Sequence, residues 1–377
     1  MLWPVPTLSR SCAMSIRRAP ICTSAITVLG VTLAGASLPL ASASAAEPRV
    51  TLGNVSESAL LAAPTQDAPS ATIASTTTEP NGSTVTVTNS DELTAALEAV
   101  QPGQTIALAD GVYTSDQFEA AADGTESAPI TLTGSRDAIL TTGDAASGYG
   151  LHITGDHWKV LGLSVTNSGK GIVLDGSNHT LISGVDVGNT GTEGVHFRAG
   201  SSDGIIENSH IHDTGTVTPD YGEGIYLGSA KSNWARIMGS SSVMDQSDRI
   251  IVRNNQISNT STEGVDIKEG TTGGLITGNV FTNAGYSGAN YGDSWVDVKG
   301  NAYTIIGNSG SGTKKDAFQV HSQIDGWGRE NTFTDNTVHG DVPGYEVWVE
   351  APSLGTVVDS EPISGAASGV TNISASE

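Results

Sequence analysis

Short runs of alternating apolar and polar residues recur along most of this chain. The clearest is Glu263-Gly-Val-Asp-Ile-Lys268, with a near-twin 31 residues on, Ser294-Trp-Val-Asp-Val-Lys299. Successive side chains of a strand face opposite ways, so the Val/Ile pair points to one side and the Asp/Lys pair to the other. The same strand is written seven times, at 171–175, 194–198, 224–228, 264–268, 295–299, 317–321 and 346–350. The intervals are 23, 30, 40, 31, 22 and 29 residues. The short intervals give the length of a coil; the long ones are that coil with a loop inserted. A unit of this size cannot bury its apolar face alone, so the pattern predicts a solenoid.

The remaining elements follow from the same reading. Val85 and Val87 begin a strand, and Ser90–Val100 reads as a short amphipathic helix with Ser90 as N-cap and Pro102-Gly103 as its stop. A helix there covers the open end of a solenoid. From Gly150 each coil carries three strands, the third ending in an Asn column: Asn167, Asn189, Asp213 (the exception), Asn259 and Asn283. A second column is Asn255, Asn279, Asn308 and Asn336. Stacked amides one coil apart, about 4.8 Å, bond to one another and tolerate tight turns, so both columns are read as ladders rather than ligands. Four insertions, 214–222, 230–247, 284–293 and 322–330, carry Tyr221, Trp234, Tyr286, Tyr291 and Trp327. All adjoin the first strand of a coil, so they should gather on one side and frame a groove. The expected fold is all-β, a single-domain parallel β-helix over 83–350 with a short N-terminal capping helix. Residues 351–377 are read as a cap or loose tail.

Composition adds a compartment. Arg17-Arg18, an apolar run from Ala25 to Leu40 and Ala43-Ser-Ala45 make residues 1–45 a secretory signal, with Met14 as an alternative start. Residues 46–82, rich in Ala, Ser and Thr, read as a flexible leader. The protein is thus expected outside the cell, without a membrane anchor after cleavage, as a monomer. Cys12 and Cys22 both lie in the signal, so the mature chain would have no disulfide, thiolate metal site or cysteine nucleophile. Removing a signal with three arginines and no acids takes the net charge from −23 to −26, which argues against nucleic acid as a partner.

The outward positions of the repeated strand form one ladder: Val173/Asp175, His196/Arg198, Tyr226/Gly228, Asp266/Lys268, Asp297/Lys299, Gln319/His321 and Trp348/Glu350. The residues just before the strands add Lys170, Glu193, Glu223, Glu263, Ser294 and Asp316. A structural solenoid has no need of charged, aromatic and imidazole groups stacked on one sheet. Glu223, Glu263, Asp266 and Asp297 fall within three adjacent coils, a density of oxygen ligands that suits Ca²⁺. His196 and His321 sit too many coils apart to share an ion. Lys268 and Lys299 have two readings. Either they pair with Asp266 and Asp297 along the ladder, or one is a general base. Two ammonium groups one coil apart repel by about 3.5 kcal/mol at an effective dielectric of about 20. That repulsion would lower one lysine pKa toward the range a base needs, if the neighbouring aspartates are otherwise engaged.

At this point the chain resembles secreted right-handed parallel β-helix polysaccharide lyases, the chondroitinase B and alginate lyase group. Pro102-Gly-Gln-Thr-Ile-Ala-Leu-Ala-Asp-Gly-Val-Tyr113 is similar to their first coil. Glu263, five residues before Lys268 and followed by Leu275-Ile-Thr-Gly-Asn-Val-Phe281, is similar to their Glu…Lys segment. The resemblance implies Ca²⁺ on Glu263 and a base at Lys268. That group uses an arginine as acid in the next coil, where this chain has Lys299. Pectate lyases with a lysine base and aspartate-bound Ca²⁺ are similar in the same way and match Asp266 and Asp297. The implied activity is β-elimination on an acidic polysaccharide. Lys268, Lys299, His321 and Arg198 are the catalytic candidates, and His196, Tyr226, Gln319, Trp327 and Trp348 the substrate-binding ones. Glu223, Glu263, Asp266 and Asp297 are the metal candidates. A β-helix hydrolase using paired Asp/Glu, a uronate epimerase and a non-catalytic carbohydrate-binding solenoid are the alternatives.

Overall fold

The computed structural model describes residues 82–359 and 364–376; the signal and nearly all of the leader lie outside them. Among the described residues, parallel strands stack into three sheets of eleven, nine and nine strands. Each regular coil gives one strand to each sheet. Leu181–Ser183, Asp186–Gly188 and Val195–Arg198 make up one such coil. The chain is therefore the parallel β-helix that the repeat predicts.

The inward side chains explain why the coils stack. Ile172, Val195, Ile225, Val265, Val296, Phe318 and Val347 form one continuous row, and every member is fully buried. Burying each such side chain is worth about 1.5–3 kcal/mol. Phe281 stacks on Trp295 at 5.7 Å, and Phe318 meets Trp295 edge-on at 5.8 Å.

Both Asn columns are ladders. Asn255 donates to Asn279, Asn279 to Asn308 and Asn308 to Asn336, each at 3.0 Å through the side-chain amide. The other column sits in the left-handed region, with φ between 49° and 53° at Asn167, Asn189, Asp213, Asn259 and Asn283. Asn and Asp adopt that conformation at the least cost after Gly.

The capping helix spans Ser90–Ala99 and buries Leu93 and Leu97 against the first coil. Its N-cap is Asn89, one residue earlier than expected, and the Asn89 side chain accepts from Glu92 N. Glu92 in turn accepts from Thr88 N at 2.8 Å, one residue before the cap. The Ser90 hydroxyl accepts instead from Thr114 N in a neighbouring strand. At the other end, Val357–Val358 pairs with Thr332–Phe333, and the Asn372 side chain bonds to both the N–H and the carbonyl of Val349.

Candidate active site

The outward ladder lies in register on one nine-stranded sheet: Val173, His196, Tyr226, Asp266, Asp297, Gln319 and Trp348 are consecutive Cα partners. Much of it is roofed. His196, Arg198, Tyr226, Asp266, Asp297 and Lys299 are all buried. The roof comes from the insertions. The 230–247 segment is pinned by the buried Trp234, whose Nε1 donates to Ser229 O, and by Asp245, which accepts from the N–H groups of Ala199 and Gly200. On the opposite side, Asn290 Nδ2 donates to Asp220 O at 3.2 Å and ties two insertions together. Between them lie adjoining cavities of about 450 and 440 Å³ that share Glu223, Ala230, Ser232, Lys268 and Asn290. They form one groove with Lys268 at its middle.

Asp266 is the electrostatic centre of the floor. It accepts from Lys268 Nζ at 2.5 Å and from Lys299 Nζ at 2.8 Å. Asp297 pairs with Lys299 Nζ at 2.5 Å and with His321 Nδ1 at 2.7 Å. Burial alone would lower the Lys268 pKa, but Asp266, Glu263 and Glu223 outweigh it and hold the ammonium above the usual lysine range. Lys299 is likewise raised, its burial outweighed by Asp266 and Asp297. This corrects the expectation that mutual repulsion lowers one of them: the bridging carboxylate wins. Asp297 is buried, yet Lys299 and His321 hold it below the usual carboxylate range.

Glu223, Glu263 and Asp266 bring one oxygen each within 4.8 Å of one another. Burial, then Glu193 and Asp266, push Glu223 up to about 8. Burial and Asp266 raise Glu263 well above its ordinary value. The Glu223 Oε2 atom is buried with no hydrogen-bond partner among the described residues. Three buried carboxylates with an orphaned oxygen fit a hard cation with oxygen ligands, such as Ca²⁺. Asp297 does not join this cluster: its oxygens do not come within that distance of all three, and it pairs instead with Lys299 and His321.

The far half of the groove holds further charge. Lys170 pairs with Glu193, and Arg198 grips Asp175 through Nε at 2.6 Å and a terminal nitrogen at 2.9 Å. Arg198 is therefore tied to Asp175 toward the far end of the groove. His196 Nε2 is bonded to Gly228 O at 2.8 Å. Tyr226 lies between the halves, its ring 4.3 Å from that of His196 and 5.1 Å from Lys268 Nζ. Burial and then Asp266 keep its phenol protonated far above the usual range.

Three substrate-binding expectations change. Gln319 is buried and donates to Asp293 at 2.7 Å and Asp316 at 2.9 Å, so its amide braces the wall rather than a ligand. Trp327 and Trp348 are half-buried outside the groove lining, Trp348 against His321 and Lys315. Conversely Glu269, Asn290 and the exposed Arg236 line the groove. Asn290 and Arg236 come from insertions without a period, where only their position beside the ladder signals a role, and Glu269 directly follows the repeated strand.

A family model described as a right-handed beta helix region matches residues 149–338, and a Pel9A-like right-handed beta helix region matches 73–224. No curated protein matches the sequence. Among solved structures, alginate lyase from Paenibacillus sp. str. FPU-7 is 39% identical with a TM-score of 0.69, over 78% of this chain and 96% of that one. Pectate lyase Pel9A is 16% identical with a TM-score of 0.52, over 71% and 72% of the two chains. PfbA, a surface adhesin of Streptococcus pneumoniae, is 11% identical with the same TM-score of 0.52, over 72% of each chain. The last two share the fold alone, and one of them is an adhesin, so architecture by itself does not decide for catalysis. The 39% identity does: this chain belongs to the right-handed parallel β-helix polysaccharide lyases and acts on a polysaccharide.

Proposed function

We propose that the substrate is a uronic-acid polymer, alginate first among them, cleaved by Ca²⁺-assisted β-elimination with Lys268 as base. The observation that carries this is one groove in which Lys268 adjoins a three-carboxylate cluster on one side and the buried Tyr226 on the other. The identity to an alginate lyase supports the choice of polymer. Residues 1–45 support action outside the cell after signal removal.

Elimination removes the ring proton next to the uronate carboxylate, forms a carbon–carbon double bond and expels the glycosidic oxygen. Glu223, Glu263 and Asp266 would hold the Ca²⁺, whose chemistry when bound is to neutralise the substrate carboxylate and acidify that proton. Lys268 is the lysine that reaches both cavities, and its side chain is 13% exposed against 9% for Lys299. It takes the ring proton only from its neutral form, and Asp266 favours the charged one. Turnover therefore rises with pH above neutrality. Lys299, paired with both aspartates, keeps its charge and balances theirs. Tyr226, held neutral beside Lys268, donates the proton to the departing oxygen.

The test is a screen of alginate, pectate and glycosaminoglycans with chelator-treated protein, before and after Ca²⁺ is restored. Ultraviolet-absorbing unsaturated ends should form on alginate once Ca²⁺ returns. Undiminished cleavage under chelator removes the metal from the account. New reducing ends without that absorbance replace elimination with hydrolysis, and an altered uronate without chain scission indicates an epimerase.

A further inference from the structure

The geometry points to a second metal site, for a divalent transition ion such as Zn²⁺, on a different sheet from the groove. Its residues are Asp186, His210 and His212, whose ligand atoms lie within 4.8 Å of one another. His210 and His212 are two apart on the strand His210–Thr214, so they share a face, and Asp186 is the register partner of His210 on the adjacent coil. His212 Nε2 lies 3.0 Å from Asp186 Oδ1, and His210 Nδ1 lies 3.2 Å from Asp186 Oδ2. Ligand atoms about 2.0–2.1 Å from a tetrahedral Zn²⁺ stand about 3.3 Å from each other. The two histidine–aspartate contacts are already near that spacing, and the set as a whole closes in from within 4.8 Å.

The outer nitrogens are already engaged, as a metal site requires. Asp213 Oδ2 lies 2.6 Å from His212 Nδ1, and Ser258 Oγ lies 3.3 Å from His210 Nε2. Asp213 holds the Nδ1 proton of His212, so an ion that displaces the proton between Nε2 and Asp186 would meet the Nε2 lone pair. That is the carboxylate–histidine–metal relay that fixes tautomer and ring orientation. Asp213 is also the one acid in a column that is otherwise Asn167, Asn189, Asn259 and Asn283. It keeps the ladder, accepting from Asn259 Nδ2 at 3.2 Å, and adds a carboxylate at the single coil that carries both histidines. Arg136, 2.7 Å from Asp186 Oδ2, is the competing cation. Its side chain is 47% exposed, and it leaves Oδ1 for the ion. Bound there, Zn²⁺ would replace the proton that His212 shares with Asp186 and clamp two coils together.

Zinc content after equilibrium dialysis of chelator-treated protein tests this, beside a His210→Ala/His212→Ala variant. The wild type should retain one more Zn²⁺ per chain than the variant, while cleavage in Ca²⁺ stays unchanged. Asp213→Asn should weaken that Zn²⁺ about tenfold, as losses of such outer partners do. Co²⁺ added to the wild type should give the intense visible bands of a low-coordinate site, a reading that holds even if the double variant does not fold. Equal zinc in wild type and variant, or only the faint spectrum of aqueous cobalt, overturns the assignment.

Discussion

Asp266 is 1% exposed and accepts from two lysines, while Glu223 and Glu263 crowd it from the same side. At this scale the groove is a set of buried acids short of positive charge. That deficit has a measurable sign. The Glu223 pKa rises from 4.5 in the unfolded chain to about 8 in the fold. The native state therefore binds more protons across that window, and stability is lost as pH rises from about 4.5 to about 8. Thermal melts of chelator-treated protein should show the loss, Glu223→Gln should flatten it, and Ca²⁺ should restore most stability at the alkaline end. A Glu223→Gln profile that overlays the wild type would show that the carboxyl is not strained. Strand alternation made the ladder positions legible, since a period of two assigns each side chain to a face. It could not show which partner each charge would take. Asp297 falls within the same three coils as the other acids, yet it pairs with Lys299 and His321 and stays out of the three-carboxylate cluster.

The elements differ in how they are held. The Asn255–Asn336 column is a buried ladder in which Asn279 Oδ1 accepts from Asn255, and Asn279 Nδ2 donates to Val252 O and to Asn308. Asn279→Ala strands several of these groups away from water, at about 1–3 kcal/mol for each one left unsatisfied. We expect a lower denaturant midpoint by about 2–4 kcal/mol in stability, with activity per folded molecule retained. An unchanged midpoint would mean that the ladder adds nothing. This column was readable from the sequence because identical residues recur at coil spacing. The insertions were readable as interruptions that frame a groove, but not in how they are seated. That Trp234 and Asp245 seat the 230–247 segment over the ladder depends on contacts to Ser229, Ala199 and Gly200 that no periodicity encodes.

The molecule as a whole carries a net charge of −23, and its proposed substrate is also an anion. Attraction is local, from Lys170, Arg236, Lys268 and Lys299 in the groove, whereas repulsion acts at range. Raising salt from about 0.01 to about 0.15 M shortens the screening length from about 30 to about 8 Å. That weakens long-range repulsion more than contacts inside the groove. At fixed Ca²⁺, kcat/KM on a polyuronate should therefore rise over this range, and a fall would mean that the groove cations already dominate at a distance. The central claim is that stacked coils assemble an elimination site around Lys268. It is tested most directly by the products that the wild type and Lys268→Ala release from alginate. The account predicts unsaturated chain ends from the wild type and a loss of about 10²–10⁴ in kcat for Lys268→Ala, with an unchanged circular dichroism spectrum. Wild-type rates from Lys268→Ala, or saturated ends from the wild type, would contradict it.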